Sequence, residues 1–106
     1  MKRYTTQAKL LRALGEPVRL AILDMISCGE MCACDILDGL TISQSTLSHH
    51  MRVLQQANIV ISRKDATWVY YSINPLLVSE FHTILDMILL PKQNCICQGH
   101  KPEDDI

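Results

Sequence analysis

CACDILDGLTISQSTLSHHMRVLQQANIVISRKDATWVYY, residues 32–71, holds the local patterns that decide the fold. Ala33, Ile36, Leu37 and Leu40 follow helical spacing, and Gly39 with the Thr41-Ile42 turn closes that short helix. Ser43 is the expected N-cap of the next helix. There Leu47, Met51 and Leu54 fall at i, i+4 and i+7 and face a core, which leaves Gln44, Ser45, Ser48, His49 and Arg52 pointing outward. The runs 59–62 (Ile-Val-Ile-Ser) and 68–72 (Trp-Val-Tyr-Tyr-Ser) are β-branched and aromatic, so they read as a hairpin, with Arg63 and Lys64 at its tip in the connection 63–67.

Outward from this stretch the helical pattern continues on both sides. Upstream, Ala8, Leu11 and Leu14 predict a first helix over 5–14 that Gly15 stops. Pro17 opens a second, with Val18, Ile22 and Met25 as its buried stripe, ending near Cys28-Gly29. Downstream, Asn74-Pro75 opens a fifth helix from about 76 to 90, and Pro91 ends it. That helix is apolar on more than one face, which a small monomer does not bury. A homodimer built on it and on the first helix is therefore expected.

Two short helices joined by a tight turn and followed by a basic-tipped hairpin predict a winged helix-turn-helix, mainly α with a small β-hairpin. Its chemistry suits double-stranded DNA. A major groove admits a helix whose outer face carries short hydrogen-bonding side chains, and Gln44 matches adenine N6 and N7. The candidate DNA contacts are Ser43, Gln44, Ser45, Ser48, His49 and Arg52 on the helix, with Arg63 and Lys64 on the wing.

Length and composition fit this reading. The chain has 106 residues, 48% hydrophobic and 20% charged, which bounds it to one compact domain over 1–91 and a flexible cysteine-containing tail over 92–106. The N-terminus lacks the apolar run of a secretory signal, so a cytoplasmic protein is expected. The apolar stretch 84–90 is interrupted by Asp86 and falls short of the ~20 residues of a membrane span. Net charge is only −1, but it is unevenly placed, with basic residues at Lys2, Arg3, Lys9, Arg12 and Arg19 and again at Arg52, Arg63 and Lys64. Local patches must carry any DNA contact. No Gly-rich phosphate loop, acid pair or cysteine with a histidine base stands out, so no enzyme is expected.

The five cysteines form two C-x-C pairs, Cys32 with Cys34 and Cys95 with Cys97, and leave Cys28 alone. An odd number without a secretion signal argues against a disulfide framework. Burial in the core, a redox pair, or ligation of a thiophilic ion are the open readings. Residues at i and i+2 cannot both face the core of a helix, and a helix N-terminus favours the thiolate that binds metal, so Cys32 and Cys34 are candidate metal ligands.

Residues 43–51 (SQSTLSHHM), Leu54, 57–60 (ANIV) and 68–71 (WVYY), with Cys32-Ala33-Cys34-Asp35 upstream, closely resemble the arsenic-repressor (ArsR/SmtB) family of metal-sensing repressors. The resemblance covers roughly residues 6–90. It implies a dimeric repressor on a palindromic operator, released when As(III) or Sb(III), an organoarsenical or another thiophilic metal binds cysteine thiolates. Trivalent arsenic takes three sulfurs. Leu37 stands where some relatives carry a third cysteine, so Cys95 or Cys97 in the tail is expected to supply it; Cys28, four residues before Cys32, is the rival donor, although burial at the end of an apolar helix would account for it. Glu80-Phe81-His82 matches half of a zinc element found in other relatives, but Gln93 and Ile96 stand where the rest would be. The alternatives are a redox or reactive-sulfur sensor of the same fold, or a thiol metallochaperone that would not bind DNA.

Overall fold

In the computed structural model residues 2–91 are described, with side chains from Tyr4 onward. The order is α1 (Lys2–Leu14), α2 (Pro17–Ile26), β1 (Met31–Cys32), α3 (Ala33–Gly39), α4 (Gln44–Gln56), β2 (Val60–Asp65), β3 (Trp68–Ile73) and α5 (Leu77–Leu89). The expected helix-turn-helix and wing are present as α3, α4 and the β2–β3 hairpin.

Each boundary has a local cause. Glu16 caps α2, its carboxylate accepting from Arg19 N–H at 2.9 Å, and Pro17 takes the position where a missing N–H costs nothing. Ser43 caps α4 through Thr46 N–H at 3.1 Å, as its sequence position indicates. At the far end of α4, Ile59 N–H bonds to Leu54 O and Asn58 N–H to Gln55 O, both at 3.0 Å, while Asn58 takes φ 60°. This is a Schellman stop, in which asparagine tolerates the left-handed turn and Ile59 packs back on Leu54. Chain direction therefore reverses cleanly from recognition helix to wing.

Three details differ from the sequence expectation. The sheet has three antiparallel strands in the order β1-β3-β2, because Met31 and Cys32 pair with Tyr71 and Tyr70. A two-residue strand has no periodicity by which to announce itself. The hairpin strands also run further than expected: Asp65 pairs with Trp68, so the tip is Ala66-Thr67 and both Arg63 and Lys64 lie inside β2. Ala66 adopts φ 55° there, which permits the two-residue connection. Finally α1 begins at Lys2, several residues before its first apolar position.

One core joins the elements. Ala13 of α1, Ile22, Leu23 and Ile26 of α2, Ile36 of α3, Leu47, Met51 and Leu54 of α4, Val60 of β2 and Leu77 of α5 are all buried in it. Each fully hidden Ile, Leu or Met contributes about 1.5–3 kcal/mol. By contrast Leu77 is the only buried residue of the thirteen in α5, and Leu76, Val78, Met87, Leu89 and Leu90 are exposed.

Candidate DNA interface and thiol site

The amphipathic pattern of α4 sends its apolar stripe inward and places Ser43, Gln44, Ser45, Ser48 and Arg52 along one shallow concavity on the outer face. The hydroxyls are already ordered: Ser43 Oγ donates to Thr46 Oγ1 at 2.9 Å and lies 3.1 Å from Ser45 Oγ. Short side chains fixed in this way leave donors and acceptors available without the entropy cost of ordering long ones. His49 is exposed beside this surface, whereas its neighbour His50 is turned into the body. His50 is not among the candidate DNA contacts. It receives Arg19 Nη1 at 3.1 Å on Nδ1 and lies 3.8 Å from the Glu16 carboxylate, which fastens α4 to α2.

Arg63 and Lys64 are adjacent in a strand, so their side chains point to opposite faces of the wing and cannot meet the same line of phosphates. Lys64 is exposed. Arg63 is engaged: its Nε and Nη2 both donate to the Glu30 carboxylate at 2.7 Å, and its guanidinium lies 4.4 Å over the Tyr70 ring. The Arg63 hydrogen bonds hold the Glu30 carboxyl below its usual range, against a smaller opposing effect of burial, and Glu30 in turn raises Arg63. Nothing in local sequence pattern points to Glu30, which lies 33 positions from its partner.

The thiols stand where β1 becomes α3. Cys32 ends the strand and is the N-cap of α3, its Sγ accepting from Asp35 N–H at 3.4 Å. The sulfur thus takes a first-turn donor that a serine or aspartate oxygen usually takes. Cys32 is buried and Cys34 lies further out; their sulfurs are joined as a disulfide. The Asp35 carboxylate completes a group whose ligand atoms all lie within 4.8 Å of one another. Two soft sulfurs so placed fit a thiophilic ion when reduced. Cys28, for which burial was expected, is instead an exposed free thiol. Cys95 and Cys97 lie outside the described residues.

Residues 16–62, which span α2 to the first half of β2, match the model of the bacterial regulatory protein family arsR. The arsenical resistance operon repressor of Staphylococcus aureus is 39% identical over 95% of this chain and 97% of its own length. That of Staphylococcus xylosus is 40% identical over 92% and 94%. Among solved structures, NolR from Sinorhizobium fredii superposes with a TM-score of 0.69 at 33% identity, covering 83% of this chain and 88% of that one. HlyU from Vibrio cholerae gives 0.68 at 29%, covering 85% and 98%. Similarity of this depth extends well beyond the DNA-reading unit into the flanking helices, and on that basis the chain belongs to the arsR family of bacterial regulatory proteins, as a winged-helix DNA-binding transcriptional repressor.

Proposed function

We propose that this repressor holds a palindromic operator as a homodimer and leaves it when Cys32 and Cys34 thiolates take trivalent arsenic or antimony. The observation that carries the reading is the sulfur pair at the first turn of α3, one short helix before the DNA-reading face of α4. Gln44, Ser45, Ser48 and His49 contact base edges or phosphates, and Arg52 and Lys64 contact phosphates. Two copies related by a two-fold axis, joined through α5 and α1, set their recognition helices one DNA turn apart, about 34 Å. Each thiol that engages the arsenic of arsenite gives up its proton, which leaves with a displaced hydroxide as water. Cys95 or Cys97 supplies the third sulfur, with Cys28, an exposed free thiol, as the rival donor. Binding moves α3 relative to α4, and release follows because the liganded protein favours the geometry that DNA disfavours.

The joined sulfurs of Cys32 and Cys34 favour a second reading of the same switch. In it, hydrogen peroxide takes two electrons and both protons from the dithiol and leaves as two molecules of water, the sulfurs bond, and the disulfide moves β1 and α3.

Operator release in a mobility-shift titration separates the two. Arsenite and hydrogen peroxide are each titrated against wild type and the single serine variants at Cys28, Cys32, Cys34, Cys95 and Cys97. Arsenite release that is lost in Cys32→Ser, Cys34→Ser and at least one tail variant is the expected result. Serine variants at 32 and 34 that still let go of DNA with arsenite overturn it.

A further inference from the structure

Cys32, Tyr70 and Arg63 form one row across the sheet, since Cys32 pairs with Tyr70 in β3 and Tyr70 pairs with Arg63 in β2. Directly opposed residues put their side chains on the same face, so the thiol, the phenol ring and the guanidinium lie in sequence along it. The row is closed by Glu30, two positions before Cys32, whose carboxylate reaches over to take Arg63 at both oxygens. The thiol strand is thereby tied to the wing twice, through the β1–β3 ladder and through this ion pair.

Magnitude decides what the pair is for. Both partners are well exposed, and exposed ion pairs stabilise little. A two-pronged guanidinium–carboxylate contact is nevertheless directional, fixing where its two ends stand relative to each other. β1 itself has only two residues, so its place depends on what holds its ends. Glu30 immediately precedes it, and its last residue, Cys32, is also the cap of α3.

We infer that Glu30 is a positioning residue: through its ion pair with Arg63 it carries a change at the Cys32–Cys34 thiols into the wing. The inference rests on the proposed thiol switch and adds a second route to it. The first runs from α3 to α4, and this one from β1 across Tyr70 to β2, so that ligand binding shifts recognition helix and wing together. Arg63 acts here as the receiving end of the tie, while Lys64 on the other face meets DNA.

The test compares operator affinity with and without arsenite for wild type, Glu30→Gln, Glu30→Asp, Arg63→Gln and the Glu30→Gln/Arg63→Gln double variant. Trp68, the only tryptophan, sits beside the wing tip and reports the wing without DNA. Glu30→Gln is expected to bind operator about as tightly as wild type, since Glu30 lies with Arg63 on the face of the wing opposite Lys64 and its phosphate. Its arsenite-induced loss of affinity is expected to shrink by about two- to thirty-fold. Glu30→Asp, which keeps the charge but shortens the reach, is expected to lose coupling as well, and it carries the test if the glutamine variant does not fold. The double variant is expected to match the single ones, because all break the same tie. The arsenite-induced change in Trp68 emission is expected to fall with the coupling.

A wild type that releases with arsenite beside a Glu30→Gln that releases equally, or that keeps the full Trp68 response, overturns this inference alone. Additive losses in the double variant also overturn it. A wild type that arsenite does not release overturns the proposed switch and this inference with it.

Discussion

Arg19 Nη1 lies 3.1 Å from His50 Nδ1, so a side chain of α2 holds the buried side of the recognition helix. The same guanidinium donates from Nε to Ala13 O at 2.6 Å and from Nη2 to Arg12 O at 3.3 Å. It therefore satisfies carbonyls at the end of α1 as well, where a positive charge is favoured. Arg19→Ala is expected to cost about 2 kcal/mol in urea unfolding, because partly buried acceptors lose a charged donor. Arg19→Lys is expected to recover little, since one ammonium cannot span three acceptors on two helices. A variant as stable as wild type would show the network to be incidental.

Ser43 has two separable roles. Ser43→Ala is expected to lose about 1 kcal/mol of stability with the cap. Ser43→Asp is expected to keep the stability, since a carboxylate caps equally well, yet to weaken operator binding by placing a negative charge against phosphate. Thermal melts and mobility shifts on both variants check this, and equal DNA affinity for Ser43→Asp and wild type would remove residue 43 from the interface.

Gln44 and Lys64 are expected to fail in different ways. Gln44→Ala is expected to lose about 1–3 kcal/mol on operator and little on unrelated DNA, as a base contact should. Lys64→Ala is expected to weaken both alike and to reduce the slope of log affinity against log salt by about 1. Arg63→Ala is expected to change that slope less than Lys64→Ala, since Glu30 already neutralises Arg63.

Leu89, the last residue of α5, is 72% exposed and Leu90, its C-cap, 55%, and the helix has a single buried residue. In a monomer Leu89→Glu would fall within about 0.5 kcal/mol of neutral, as surface changes do. In the proposed homodimer it is expected to give a folded monomer by sedimentation and a large loss of operator affinity. Unchanged mass for wild type and variant, both monomeric, would rule out this interface.

Burial raises the Tyr71 phenol above its usual range. The folded state then keeps a proton that the unfolded chain loses. Stability from this group is complete below the unfolded value, near about 10, and drains away as pH rises through the folded value. Tyr71→Phe is expected to hold its denaturation midpoint to higher pH than wild type, and absorbance at alkaline pH should show one tyrosine titrating late. Simultaneous titration of all tyrosines would contradict this.

The sequence by itself determined whatever depends on near neighbours. Pro17 and Ser43 set helix starts through their own backbone chemistry, and Leu47, Met51 and Leu54 fixed which face of α4 is buried through a 3.6-residue period. The β-branched and aromatic runs on either side of Ala66-Thr67 likewise marked the wing, though not the length of its strands. Tertiary structure alone decided what depends on distant approach. Met31-Cys32 is a strand only because β3 lies beside it, and His50 is buried only because Arg19 and Glu16 arrive from α2. The Glu30–Arg63 pair spans 33 positions and exists because the sheet brings the start of β1 across to β2. A charged residue carries no sequence signal for which distant partner it will meet; only the closed backbone supplies the distance and direction that an ion pair requires.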